Sequence, residues 1–125
     1  MLKIEEYVKL KNGKFVGSKQ CVALVQDYQK FVKWPVRNGN AKDWVKNGNN
    51  GYVFIKMRPF FIPRPSDFAI FDIGPYGHIG IVVSSNPLYM RVFNQNWPKG
   101  DLTNPAIVTR FNYLRPKILG FLRKV

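Results

Sequence analysis

The sequence predicts an α+β domain, with helices from its first third packed on an antiparallel β-sheet of about five to six strands. Three observations carry that reading. Apolar residues recur at helical spacing before residue 46, then in alternating or continuous runs from residue 68 onward. Gly, Pro and Asn clusters bound those later runs, and helices followed by short turn-linked strands build an antiparallel sheet with helices on it. A chain of 125 residues that is 46% hydrophobic and 15% aromatic has material for one core and not for two, so 1–125 is read as a single domain.

Each element follows from local pattern. Leu2, Ile4, Tyr7 and Val8 give the first ten residues an amphipathic helix, closed by Asn12-Gly13. Over 19–33, Cys21, Val25, Tyr28 and Val32 recur at four, three and four, and Val22, Leu24 and Phe31 widen the stripe. This is a core-facing helix ended before Pro35. A short helix over 40–46 has Asn40 as N-cap and Asn47-Gly48 as its stop. The character changes at Tyr52, and three prolines make 58–65 a connector. Strands then read at 68–71, 78–83, 88–93, 107–111 and 118–122, separated by turns such as Asp72-Ile73-Gly74-Pro75 and Ser85-Asn86-Pro87.

Composition excludes several classes. One cysteine allows no intramolecular disulfide, so packing must supply stability. No apolar run reaches the ~20 residues of a membrane span. The opening Met1-Leu2-Lys3-Ile4-Glu5-Glu6 lacks the apolar region of a signal peptide, so a soluble protein delivered by other machinery is expected. Twenty Lys and Arg against seven Asp and Glu give a formal charge of +13, a field that attracts polyanions. The basic residues are scattered rather than blocked, as on a generally positive surface.

The chemistry concentrates on two unique residues: Cys21, the only cysteine, and His78, the only histidine. Cys21 falls in the first turn of a helix, where unpaired N–H groups favour a thiolate and offer donors to an oxyanion. Lys19 adds positive charge nearby, whereas Ser18, if it caps the helix, competes for the Cys21 N–H. His78 opens a strand and needs a third group to fix its tautomer. Asn94 and Asn96 end a neighbouring apolar run two residues apart, and either can accept from the ring. Taken singly, a lone cysteine is an inert core residue and a lone histidine a satisfied structural one. Together they form the pattern of a cysteine hydrolase with an activated thiol, alkylated rapidly near pH 6.

Gly17-x-x-Gln20-Cys21-Val22-x-Leu24-Val25 resembles the nucleophile motif of CHAP domains, the cysteine/histidine-dependent amidohydrolase/peptidases. Asn40-Ala41-Lys42-Asp43-Trp44 is similar to that family's G-N-A helix, and Arg64-Pro65-Ser66-Asp67-Phe68-Ala69-Ile70-Phe71 to its P-x-x-G-D-I-A-V-W strand. Tyr76-Gly77-His78-Ile79-Gly80-Ile81-Val82 resembles G-H-V-A-I-V, and Gln95-Asn96-Trp97 resembles E-Q-N-W, all in family order. The resemblance implies a papain-like fold that cleaves peptidoglycan, at the N-acetylmuramoyl–alanine amide or within its peptides. Cys21 would then be the nucleophile and His78 base and acid, with Gln20 and the Cys21 N–H as oxyanion donors. Asn94 stands where the family often has Glu and is the favoured orienter, with Asn96 second. Tyr76, Gln95 and Trp97 are expected on the substrate side.

Calcium-binding members carry an Asp two residues after the cysteine and acids in the preceding loop. Here Ala23, Asn12, Lys14 and Val16 stand there, so no metal and no cofactor is expected. The resemblance makes peptidoglycan the partner and gives the positive surface a purpose toward teichoic-acid phosphates. It suits a phage lysin acting at the cell wall after phage- or holin-assisted delivery. Two other classes compete. Charge with Trp34, Trp44, Tyr76 and Trp97 suits nucleic-acid binding, but no such module motif is present and the Cys/His placement becomes coincidence. A catalytically inactive CHAP-like structural module is the third, kept open by Asn94 in place of Glu.

Overall fold

The computed structural model describes residues 1–46, 51–98 and 100–125. Helix α1 spans Lys3–Lys11 and α2 spans Cys21–Phe31, followed by a 3₁₀ turn over Ala41–Val45. The strands are β1 Tyr52–Lys56, β2 Phe68–Phe71, β3 His78–Ser85, β4 Tyr89–Asn94, β5 Ile107–Asn112 and β6 Ile118–Lys124. They form one antiparallel sheet in the order β1-β6-β2-β3-β4-β5. The expected α+β architecture is what is found. The strand at Tyr52–Lys56, left unassigned by the pattern, is the sheet's edge beside β6.

The second helix begins two residues later than its apolar stripe suggests. Lys19 has φ 70, so the chain turns sharply there, and Gln20 rather than Ser18 is the N-cap. The predicted competition of Ser18 for the Cys21 N–H therefore does not arise from a cap. Over 40–46 the helix is a single 3₁₀ turn with Asn40 as N-cap, and the Asp43 carboxylate accepts from the Asn40 N–H at 2.9 Å. Its proposed stop, Asn47-Gly48, lies outside the described residues.

Both faces of the sheet are covered. On one side α1 and α2 bury Tyr7, Leu24, Tyr28, Ile79, Ile81 and Phe93, and Tyr28 meets Phe68 edge-on with ring centroids 6.3 Å apart. On the other, with no helix on it among the described residues, Phe71, Val82, Met90, Val92, Phe111 and Phe121 form a second cluster, capped by the 57–62 connector through Phe61 and by Trp97. This double cover is why Phe68-Ala69-Ile70-Phe71 reads as a continuous apolar run: all four residues are buried. Trp44 is fully buried and Trp34 packs on Tyr28, Tyr52 and Phe68. Trp44 is therefore closed to a nucleic-acid base, and Trp34 is only partly open.

Two features of the segment before β2 replace what sequence alone supplies elsewhere. Ser66, at the glycine position of the resembling motif, has φ 73 in the left-handed region, and its hydroxyl bonds Tyr28 Oη at 2.6 Å. Asp67 is 2% exposed and accepts from Arg123 Nε at 2.9 Å and Nη2 at 2.7 Å, and from the Arg64 N–H at 2.9 Å. Removing one partner of such a pair leaves the other poorly compensated, which costs about 3–5 kcal/mol. Asp67→Ala should lower the unfolding free energy in urea by about 3 kcal/mol or more. A loss below about 1 kcal/mol would show that this pair contributes little.

Candidate active site

A cleft of about 740 Å³ opens at the end of the sheet where β3 begins and β4 ends, a size that suits a ligand site. Gln20, Cys21, Tyr76, His78, Asn96 and Trp97 all line it. Cys21 is the first residue of α2, and its sulfur faces the backbone N–H groups of Ile79, Val22 and Cys21 itself. The Ile79 N–H belongs to the residue after His78, so the thiol sits against the start of β3. Helix N-termini carry free N–H groups by construction, and Gln20, the N-cap of α2, lines the same cleft.

His78 is placed by glycines on both sides. Gly77 has φ 78, and a Cβ there would lie 3.1 Å from both the Lys42 backbone N and the Phe71 carbonyl. At Gly80 a Cβ would meet the Cβ of Asn94 at 2.9 Å, so this glycine lets β4 approach β3 closely. His78, Gly80 and Asn94 thereby share a face. His78 Nε2 lies 2.8 Å from Asn94 Oδ1. The carboxamide's orientation is fixed by its nitrogen, which donates to Thr109 Oγ1 at 2.9 Å and to the carbonyls of Ile107 at 3.2 Å and Val92 at 3.4 Å. Its oxygen must therefore accept, Nε2 carries the proton, and Nδ1 keeps its lone pair.

Trp97 covers the ring, with centroids 5.0 Å apart and planes inclined by 37°. His78 is 4% exposed, and burial pushes its pKa down to about 4, with the Asn94 bond pulling the other way. Burial also raises the Cys21 thiol above its ordinary value, outweighing the three backbone N–H groups that lower it. Both shifts favour the neutral thiol and the neutral imidazole over their charged forms. Burial thus works against the activation expected from the helix start, and the backbone N–H groups work for it. Alkylation of Cys21 by iodoacetamide should accordingly show no acceleration over a model thiol at pH 6 and should climb only at a higher pH than that model thiol needs. A fast reaction at pH 6 would mean that the ion pair dominates.

Other expected positions fall differently. Strand β4 ends at Asn94, and the chain bends through Gln95 to Asn96, which has φ 62. The alternation that would put Asn94 and Asn96 on one face stops before it reaches Asn96. The Asn96 Oδ1 instead accepts from the Leu102 N–H at 2.9 Å. Gln95 was expected on the substrate side but is fully buried and does not line the cleft. It points to the face opposite Asn94, where its carboxamide bonds the backbone of Val16 and Gln20. Lys42 escaped sequence reasoning: its ammonium reaches Asp72 at 2.8 Å and the Gly74 carbonyl at 2.9 Å, tying down the 72–77 wall of the cleft. Among the described residues no three His, Cys, Asp or Glu side chains gather as a metal site.

A model of the CHAP domain matches residues 11–96. No match was found among curated proteins. Among solved structures, a wild type endolysin, LysIME-EF1, is 26% identical with a TM-score of 0.80, covering 99% of this chain and 65% of its own. Ly7917 is 17% identical with a TM-score of 0.74, covering 99% of this chain and 63% of its own. A second Ly7917 structure, with "the hydrolyzing product of MDP", is 18% identical with a TM-score of 0.75, covering 98% of this chain and 62% of its own. This chain thus spans less than two thirds of the length of each.

Proposed function

Because the chain belongs to the CHAP domain family, we propose that it is a peptidoglycan hydrolase in which Cys21 attacks an amide carbonyl with His78 as base and Asn94 as orienter. The observation that supports this best is the locked tautomer: Asn94 holds Nε2–H, leaving Nδ1 as the basic nitrogen on the cleft that also holds the thiol. As sulfur bonds the carbonyl carbon, its proton passes to His78 Nδ1. The resulting oxyanion takes hydrogen bonds from the Cys21 N–H and the Gln20 carboxamide. The imidazolium then protonates the departing amine, leaving a thioester on Cys21. Water, deprotonated by His78, releases the acid and restores the thiol. Asn94 supplies a dipole rather than a charge to the imidazolium, so it stabilises that intermediate less than a carboxylate would.

Tyr76, 64% exposed at the cleft rim, and Trp97 at its floor are the surfaces on which the substrate would lie. The charge of +13 favours walls rich in teichoic-acid phosphate, and lysis should weaken as salt screens it. Among the described residues no helix is long and apolar enough to cross a membrane. An endolysin among the structural neighbours supports action at the bacterial cell wall, and delivery by phage or holin machinery belongs to the same proposal. Whether the scissile bond is the N-acetylmuramoyl–L-alanine amide or one within the peptides is decided by the ends released. New N-terminal alanine from digested walls marks an amidase, and new amino groups elsewhere in the peptides mark an endopeptidase.

No residue of the mechanism requires a metal. EDTA should leave both wall lysis and thermal stability unchanged. A large loss of either, restored by calcium, would reveal a cation site.

A further inference from the structure

Asn94 and Gln95 are consecutive, and their side chains leave opposite faces of the sheet's end. One holds the imidazole. The other is wholly buried, and its carboxamide is fully committed to the loop that delivers the thiol: Oε1 accepts from the Val16 N–H at 2.7 Å, while Nε2 donates to the Val16 carbonyl at 3.0 Å and the Gln20 carbonyl at 2.9 Å. Val16 is thus gripped at both its backbone groups as a neighbouring strand would grip it. Gln20 is the N-cap of α2, immediately before Cys21.

The loop's own ties are few: the Lys19 N–H donates to the Val16 carbonyl at 3.0 Å, and the Val16 side chain is buried in the core. Between α1 and α2 it contains no regular element and passes through positive φ at Gly13, Gly17 and Lys19. Its beginning is pinned to Ala106, by the Gly13 N–H to the Ala106 carbonyl at 2.7 Å and the Ala106 N–H to the Lys14 carbonyl at 2.8 Å. Its end, next to the nucleophile, is pinned by Gln95. We infer that Gln95 is a positioning residue: with Asn94 it forms a two-residue brace that fixes the Cys21 sulfur relative to the His78 ring. The role rests on the Cys21–His78 reading above. Its physical basis is that a misplacement of about 1 Å between reacting groups can cost about 10²-fold in rate.

The test compares Gln95→Met, which keeps length and burial but removes all three bonds, with Gln29→Met. Gln29 is equally buried and its carboxamide makes two bonds, to Tyr52 Oη at 3.1 Å and from the Arg37 N–H at 3.2 Å, near the end of α2 opposite Cys21. Both variants lose stability. Gln95→Met alone should lower kcat at least 10-fold with KM nearly unchanged, measured well below either melting transition. A substrate-free readout uses the single histidine, whose ring nitrogens give unambiguous NMR signals. Cys21→Ala should move the His78 Nδ1 signal in the wild-type background and move it far less in the Gln95→Met background. Should Gln95→Met not fold, Gln95→Glu, which keeps the acceptor for Val16 and loses both donors, carries the same comparisons. Equal kcat for the Gln95 and Gln29 variants, or an unchanged Nδ1 response, would overturn the brace. If the wild type lyses no wall, the hydrolase reading fails, and the Nδ1 response alone decides for or against Gln95.

Discussion

His78→Ala should lower turnover on purified walls by 10²–10⁴-fold or more, the range that a positioned general base contributes. The same ring takes the thiol's proton, returns it to the leaving amine and later activates water, so its loss removes three steps at once. A second signature distinguishes chemistry from packing. The folded His78 titrates at about 4 against an ordinary 6.5, so between those values the unfolded chain binds the extra proton. Stability contributed by the neutral ring is present above pH 6.5 and is lost as pH falls toward 4. His78→Ala should flatten that part of the pH–stability curve while leaving a cavity beside Trp97. A variant with near-normal turnover would remove His78 from the mechanism.

Asn94→Ala should reduce turnover by one or more orders of magnitude, less than His78→Ala, with the fold retained. Without the carbonyl at 2.8 Å the ring is free to turn and to exchange tautomers, and Nδ1 no longer faces the thiol for most of the time. Asn96→Ala should leave ring orientation intact, because that side chain is engaged with Leu102. Asn94→Asp should not rescue. The nitrogen it replaces donates to the carbonyls of Ile107 and Val92, which a carboxylate oxygen would instead repel. This local environment gives a physical reason for an amide where relatives often carry an acid. A silent Asn94→Ala with an impaired Asn96→Ala would move the orienter two residues along.

Much of this was legible because the chemistry rests on unique residues. Cys21 and His78 stand out by count and by their places at the starts of a helix and a strand, and both line the cleft. Strand alternation, extended past the strand's end, put Asn94 and Asn96 on one face, and only the resemblance favoured Asn94; the bend at Asn96 is what separates them in the fold. Gln95 read as a cleft residue because its motif neighbours are, yet its partners lie 75 and 79 residues away in a loop without a pattern of its own. The thiol's burial was hidden for a related reason: a helix start is visible in sequence, whereas the packing of Cys21 against the start of β3 and the helix-side core is created by the fold. The edge strand at Tyr52–Lys56 is short and half-exposed, so its alternation is weak.

The most direct measurement is the fall in turbidity of purified Gram-positive cell walls under wild type and Cys21→Ala at equal, folded concentration. Cys21 as nucleophile predicts clearing by the wild type and none by the variant, which keeps the fold and the positive charge. Equal clearing by both, or none by either, would contradict a cysteine-dependent wall hydrolase.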